Sequence, residues 1–237
     1  MIKDLGKYIF MIELGLKYIY IFKKTFFHPF IAQKYAYEEL SKSRQSYSNK
    51  VLDFLNIEVE IIGDIPQENK ILYAINHRSL LDIMVMEHIF AKHNKNGAWI
   101  AKQELFDNAI YGKFFEYSGC ISVDLETKKG LISFFKNIKN TFSKVDNMNL
   151  YIFPEGERYK KEGIKEFQSG AEKIAKANNL KVVPVFINDQ LERVFKASPY
   201  QEPYKIQVHI GDIVEHENLE QKYLSHYTQA LQKDTQK

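Results

Sequence analysis

The chain has 237 residues, 45% of them hydrophobic, with 33 lysines and arginines against 30 aspartates and glutamates. That is enough apolar material for one sizeable core and too much for a disordered chain, while a net charge of +3, carried without any run of five basic residues, is too small to argue for nucleic acid. Cys120 is the one cysteine, so no intramolecular disulfide can form, and no CxxC, HExxH, GxSxG, GxxxxGK or GxGxxG pattern occurs, which counts against metal centres, serine hydrolases, P-loops and dinucleotide folds.

The N-terminus reads MIKDLGKYIFMIELGLKYIYIFKKTFFHPF. Charge interrupts it every few positions, and the longest uncharged runs within residues 1–22 are five residues each, far short of the roughly 20 that a spanning helix needs. No uninterrupted apolar stretch with a small-residue cleavage site marks a signal peptide. At about 100° per residue, Lys3, Lys7, Glu13, Lys17 and Lys24 fall within one arc, and Ile2, Ile9, Met11, Ile12, Leu16, Ile19 and Phe22 lie mostly outside it. The pattern predicts one or two amphipathic helices with a cationic stripe. Such a helix lies in a membrane interface with its lysines toward anionic headgroups, or it packs on the domain as an ordinary core helix. The division expected is a membrane-interface segment over 1–33 and one further domain over 34–237.

Residues 34–56 read as a polar helix leading into a strand at 57–62, and the turn cluster GDIPQEN (63–69) precedes a strand at 71–75. A helix is expected over about 79–92, with short apolar strands at 98–101, 120–123, 150–153 and 182–187. Helical patterns fill 107–117, 128–143 and 168–178; residues 204–214 alternate as a further strand, and the tail from Glu217 reads as a polar helix. Strands alternating with helices predict an α/β fold: a single mixed or mostly parallel sheet flanked by helices. Cys120 and Trp99 read as core residues, and no other histidine has a partner spacing that suggests chemistry.

Two loops carry the chemistry-bearing residues. In AINHRSLLDIM, His77 stands just past a strand end, where parallel sheets present function. Imidazole titrates near neutrality and suits a general base, and Asp82 could hold one ring nitrogen. The same residues also read as a capping box, with Ser79 at N-cap and Asp82 at N3. In FPEGER (153–158), Gly156 lets the backbone turn closely and Arg158 offers a planar fork suited to phosphate or carboxylate. Glu155 would be costly to bury unpaired, and Pro-x-Gly is also ordinary turn chemistry. Two of the four arginines, Arg78 and Arg158, fall in these loops.

NHRSLLD (76–82), AKQELF (101–106), GCISVD (119–124), FPEGER (153–158) and VPV (183–185) follow one another in this order. The set resembles the lysophospholipid acyltransferase family, and within it the bacterial 1-acyl-glycerol-3-phosphate acyltransferases, over roughly residues 50–215. The resemblance implies transfer of a fatty acyl group from a thioester, acyl-CoA or acyl-ACP, to the free hydroxyl of 1-acyl-glycerol-3-phosphate, giving phosphatidic acid. It implies His77 as the base and Asp82 as its orienting carboxylate. Lys102, Glu155, Gly156 and Arg158 would place the acceptor's glycerol phosphate. Asn76 and Ser79, beside His77, and Pro184, in the wall of a substrate pocket, complete the expected binding set. Neither metal nor cofactor is expected; the partners are the acyl carrier, the lyso-lipid and a membrane surface met by residues 1–30, on the cytoplasmic face of the cell membrane as a monotopic or peripheral protein.

Two positions depart from the family's usual pattern. Leu125 follows Asp124 where an arginine is usual, and Glu157 stands where the family has threonine. They keep open the same chemistry on another lyso-lipid acceptor, a lysophospholipid or lyso-aminolipid. A lipid-surface binding protein without catalysis is the alternative from a different class.

Overall fold

The computed structural model describes residues 2–124 and 127–235. The elements run α1 (Ile2–Phe26), α2 (Gln33–Leu55), β1 (Ile57–Ile62), β2 (Ile71–Ile75), α3 (Leu81–Lys92), β3 (Asn96–Lys102), α4 (Gln103–Phe106), α5 (Gly112–Tyr117), β4 (Ile121–Val123), α6 (Lys128–Lys144), β5 (Met148–Ile152), α7 (Gly170–Ala177), β6 (Lys181–Ile187), α8 (Leu191–Ala197), β7 (Tyr204–Ile210) and α9 (Leu219–Thr235). The strands form one seven-stranded sheet in the order β1-β7-β6-β2-β5-β3-β4. Neighbours pair in parallel except β6 and β7, which are antiparallel.

The central strands are mostly apolar, with Asn149 of β5 and Lys181 at the start of β6 the exceptions, because both faces of the sheet are covered. Ile71, Tyr73 and Ile75 of β2 point into a core shared with α1, α2 and α3, while Leu72 and Ala74 point into a second core with α6, α7 and α9. Every residue of β2 is buried, as is every residue of β5. β2, β3, β4, β5 and β6 all run the same way, so their carboxyl ends open on one edge of the sheet. Helix α2 stops at Asn56, whose φ of 54° closes the helix in the left-handed conformation that asparagine tolerates, and β1 starts one residue later.

The N-terminal pattern resolves into one helix with three faces. Leu14, Tyr18 and Phe22 are buried against the domain. Phe22 meets Phe114 of α5 edge-on at 5.5 Å, and Tyr18 meets Tyr47 of α2 at 5.3 Å. Leu5, Ile9, Ile12, Leu16 and Tyr20 make a second stripe, and all are exposed, Leu16 and Tyr20 at 65% and 68%. The cationic stripe is shorter than the helical wheel suggests. Lys17 and Lys24 are exposed, but Lys7 is only 2% exposed. Its ammonium donates to the carbonyls of Phe195 at 2.8 Å and Ser198 at 3.0 Å, at the C-terminus of α8. A cation at that end satisfies carbonyls left without intrahelical partners and meets the negative end of the helix dipole. Among the described residues, no helix is long and apolar enough to cross a membrane.

Candidate active site

The carboxyl edge of the sheet gathers the chemistry-bearing loops. His77 follows β2, Glu155 and Gly156 follow β5, Asn188 follows β6, and Lys102 ends β3.

The centre is a hydrogen bond between His77 Nδ1 and Asp82 Oδ2 at 2.8 Å, with side chains 13% and 2% exposed. The same carboxylate oxygen accepts from the backbone N–H of Arg78 at 2.6 Å and of Ser79 at 2.9 Å. Two backbone donors already converge on Asp82 Oδ2, which faces Nδ1 as an acceptor and so selects the tautomer with the ring proton on Nδ1. Nε2 is then the basic nitrogen, and it bonds no group among the described residues. The capping reading is half fulfilled. Asp82 reaches back to the N–H of Ser79 as a box requires, but Ser79 Oγ accepts from Leu81 N at 3.2 Å, one residue short of the expected partner.

The loop after β5 folds over this pair. Glu155 is 1% exposed, and its two oxygens are taken by backbone donors: the N–H of His77 at 2.7 Å and the N–H of Lys165 at 2.9 Å. Tyr159 N–H donates to the His77 carbonyl at 2.7 Å, so the peptide on each side of His77 is held by this loop. Burial raises the Glu155 pKa above the ordinary carboxyl range, against the two backbone bonds that favour its charge. Gly156 has φ +72°, and a Cβ there would come within 2.9 Å of Gln168 Cγ and 3.8 Å of Lys102 Cε. The turn needs glycine, and the Lys102 side chain lies against it.

Three expected binding residues are committed elsewhere. The Asn76 side-chain amide bonds the backbone of Ile187 twice, donating to its carbonyl at 3.0 Å and accepting from its N–H at 2.8 Å, which ties the end of β2 to the end of β6. Pro184, expected in the wall of a substrate pocket, is paired in register with Ala74 and faces the second core, beside Gly211 and His226 of α9. It sits in a central strand, a place that rarely admits proline because the residue has no N–H to give the ladder, and since alternate positions point to opposite faces its ring is turned away from the face of Val183 and Val185. Glu155, expected on the acceptor, has both oxygens bonded by backbone donors.

Arg158 and Lys102 remain exposed at the edge of the site, and Arg158 has no hydrogen bond or ion pair among the described residues. Arg78 is buried and spent: it donates to the carbonyls of Asn188 and Gly163, both at 3.2 Å. Glu157 is turned outward onto Lys165 in an ion pair that lowers its pKa, so its charge is answered there. Leu125 lies outside the described residues. Sequence reasoning missed the clamps made by Tyr159, Lys165 and Arg78. The first two act through backbone N–H groups, and no side-chain pattern reports those.

A family model described as Acyltransferase matches residues 56–188, which include every group above from Asn76 to Pro184. The chain belongs to the acyltransferase family. This acyltransferase is 33% identical over 186 residues to the 1-acyl-sn-glycerol-3-phosphate acyltransferase of Helicobacter pylori, covering 72% of the chain and 75% of that protein. It is 25% identical over 173 residues to the protein of the same name from Cocos nucifera, covering 73% of the chain and 55% of the relative. Its fold matches the crystal structure of the 1-acyl-sn-glycerophosphate (LPA) acyltransferase PlsC from Thermotoga maritima with a TM-score of 0.60, over 95% of this chain and 94% of that one, at 21% identity. The acyltransferase therefore has the single mixed sheet flanked by helices that its sequence leads one to expect.

Proposed function

We propose that this acyltransferase moves a fatty acyl group from a thioester, acyl-CoA or acyl-ACP, to the free hydroxyl of 1-acyl-glycerol-3-phosphate. The observation that carries the reading is the His77–Asp82 pair. With Nδ1–H given to Asp82, Nε2 is left to take the acceptor's hydroxyl proton as that oxygen attacks the thioester carbonyl carbon. The C–S bond then breaks, and the thiolate leaves with the proton that the imidazolium returns. General-base assistance of this kind contributes about 10²–10⁴ in rate. The scheme draws on no metal and no prosthetic group.

Arg158 and Lys102 are the cations proposed for the acceptor phosphate. The Glu157–Lys165 pair favours a phosphate over an uncharged acceptor, because it directs the extra carboxylate away from Arg158. Asn76, Ser79, Glu155 and Gly156 act on this reading by shaping the loop rather than by meeting substrate. The outer stripe of α1 (Leu5, Ile9, Ile12, Leu16 and Tyr20) with Lys17 and Lys24 beside it is proposed to lie on an anionic lipid surface, at the cytoplasmic face, where the lyso-lipid resides.

The test is thiol release from acyl-CoA and acyl-ACP across a panel of lyso-lipids, with His77→Ala as control. Release that requires lysophosphatidic acid and vanishes in the variant supports the proposal. Release with another acceptor alone would keep the mechanism and move the substrate. Vesicle binding without any thioester consumption would leave a lipid-surface binding protein.

A further inference from the structure

Behind His77 runs a column of flat side chains that the scheme above does not use. The imidazole is stacked on Phe153, with centroids 3.8 Å apart and planes 11° from parallel. The Phe153 ring is stacked on Trp99 at 5.0 Å and 25°. The indole N–H of Trp99 donates to Glu87 Oε1 at 2.9 Å, and Arg44 Nε donates to that same oxygen at 2.6 Å. Arg44 in turn holds the carbonyls of Ser118 at 2.6 Å and Gly97 at 2.5 Å. Trp99, Glu87 and Arg44 are all buried, among Tyr73, Phe90 and Tyr151.

Arg44 and Glu87 therefore form an ion pair inside an aromatic core. Such pairs are poor sources of stability, because desolvation consumes most of the attraction. What this pair does supply is a fixed point. It gives the indole one N–H acceptor and so one orientation in the core, and the indole fixes the plane of Phe153.

The consequence falls on His77. Asp82 sets the direction of the Nδ1–H bond, but one hydrogen bond leaves a ring free to rock about its own axis. Rocking moves Nε2 toward and away from the acceptor hydroxyl. A flat surface against the imidazole face removes that freedom.

We propose that Phe153 and Trp99 are positioning residues for acyl transfer: the indole, pinned by Glu87 and Arg44, holds Phe153 as a platform that fixes the plane of His77 and hence the aim of Nε2. This rests on His77 being the general base. Two independent constraints then set the ring, Asp82 within its plane and Phe153 across it. The acceptor and the acyl carrier need not touch either aromatic side chain.

Steady-state kinetics of Phe153→Leu and Phe153→Tyr in the full-length enzyme test this, alongside Trp99→Phe, which keeps a ring and drops the N–H. Misplacement of a catalytic group on the ångström scale costs up to about 100-fold in rate, so Phe153→Leu is expected to lose about 10- to 100-fold in kcat. KM for both substrates and the thermal midpoint should stay near those of the parent. Phe153→Tyr should restore most of the rate, and Trp99→Phe should lose less than Phe153→Leu, again in kcat alone. An unchanged kcat in Phe153→Leu would overturn the proposal; so would a loss shared equally with KM and not rescued by tyrosine. If Phe153→Leu does not fold, Trp99→Phe decides: a lower kcat at constant KM supports the platform, and an unchanged kcat sinks it. His77→Ala in the same series separates the two readings. Turnover retained in His77→Ala refutes the base itself, whereas a dead His77→Ala beside an unimpaired Phe153→Leu refutes only the platform.

Discussion

His77 and Glu155 are joined through the backbone: the His77 N–H donates to Glu155 Oε1 at 2.7 Å, across 78 residues of sequence. The second Glu155 oxygen accepts from Lys165 N–H, so one buried carboxylate spans the end of β2 and the loop after β5. Glutamine cannot replace it, because its amide nitrogen would face one of these two donors. Glu155→Gln should lower stability by about 1–3 kcal/mol, the cost of a buried polar group left unmatched. It should also lower kcat, since the His77 peptide loses its anchor. Denaturant midpoints and kcat measured on the same preparation check both.

The same carboxyl gives a pH signature. Burial raises its folded pKa above the unfolded value, so the folded state keeps the proton to higher pH. Its contribution is fully present below the ordinary carboxyl range and is lost as pH rises through the folded pKa. The parent's stability should therefore fall with pH across that window more steeply than that of Glu155→Gln. Parallel slopes for the two proteins would contradict this.

Asp82 and Ser79 share one turn but are expected to fail differently. Asp82→Asn presents a neutral oxygen to three donors and no longer steadies an imidazolium, so kcat should fall by about 10²–10⁴-fold. Ser79→Ala removes the hydroxyl's bond from Leu81 N and its longer one to Glu192 Oε2 at 3.5 Å, and should cost about 0.5–2 kcal/mol of stability with a small effect on kcat. A rate loss in Ser79→Ala as large as in Asp82→Asn would show that the serine meets substrate.

Arg158 and Lys102 are separable by substitution. Arg158→Lys keeps the charge and loses the planar fork, so KM for lysophosphatidic acid should rise nearly as far as in Arg158→Ala if the phosphate is gripped bidentately. Lys102→Ala should raise the same KM by less, because an ammonium acts as a point charge. KM for the acyl thioester should hold in all three. Titrating the acceptor at fixed thioester is the measurement.

The two apolar faces of α1 make opposite predictions. Leu16→Glu on the outer stripe should weaken co-sedimentation with anionic vesicles and leave the thermal midpoint unchanged. Phe22→Ala on the inner face should cost about 3–5 kcal/mol through the cavity it leaves. Undiminished vesicle binding by Leu16→Glu would make the outer stripe an ordinary surface.

Much of the fold is legible in the chain. β1 and β2 fall where their apolar runs begin and end, because GDIPQEN leaves no doubt about the break between them. α8 is not legible: LERVFKA has seven residues, too few for a 3.6-residue period to declare itself. The His77–Asp82 pair is readable because loop and helix start are contiguous. The employment of Glu155, Asn76 and Pro184 is not, since it depends on which backbone group lies opposite after folding. Pro184 shows this most plainly, because the motif gives its position and only the sheet register gives its direction. Trp99 reads as core and is core; that it also backs the His77 ring depends on a contact made through Phe153.

Lys7 has a mechanical consequence. Its ammonium, locked onto the last carbonyls of α8, makes the first turns of α1 part of the domain rather than a tether. A tethered enzyme samples its substrate layer at every tilt and height. If α1 lies on a lipid surface as proposed, a riveted enzyme meets it at a single attitude, and the depth from which a headgroup would have to be lifted to reach Nε2 is then built into the protein as a fixed length.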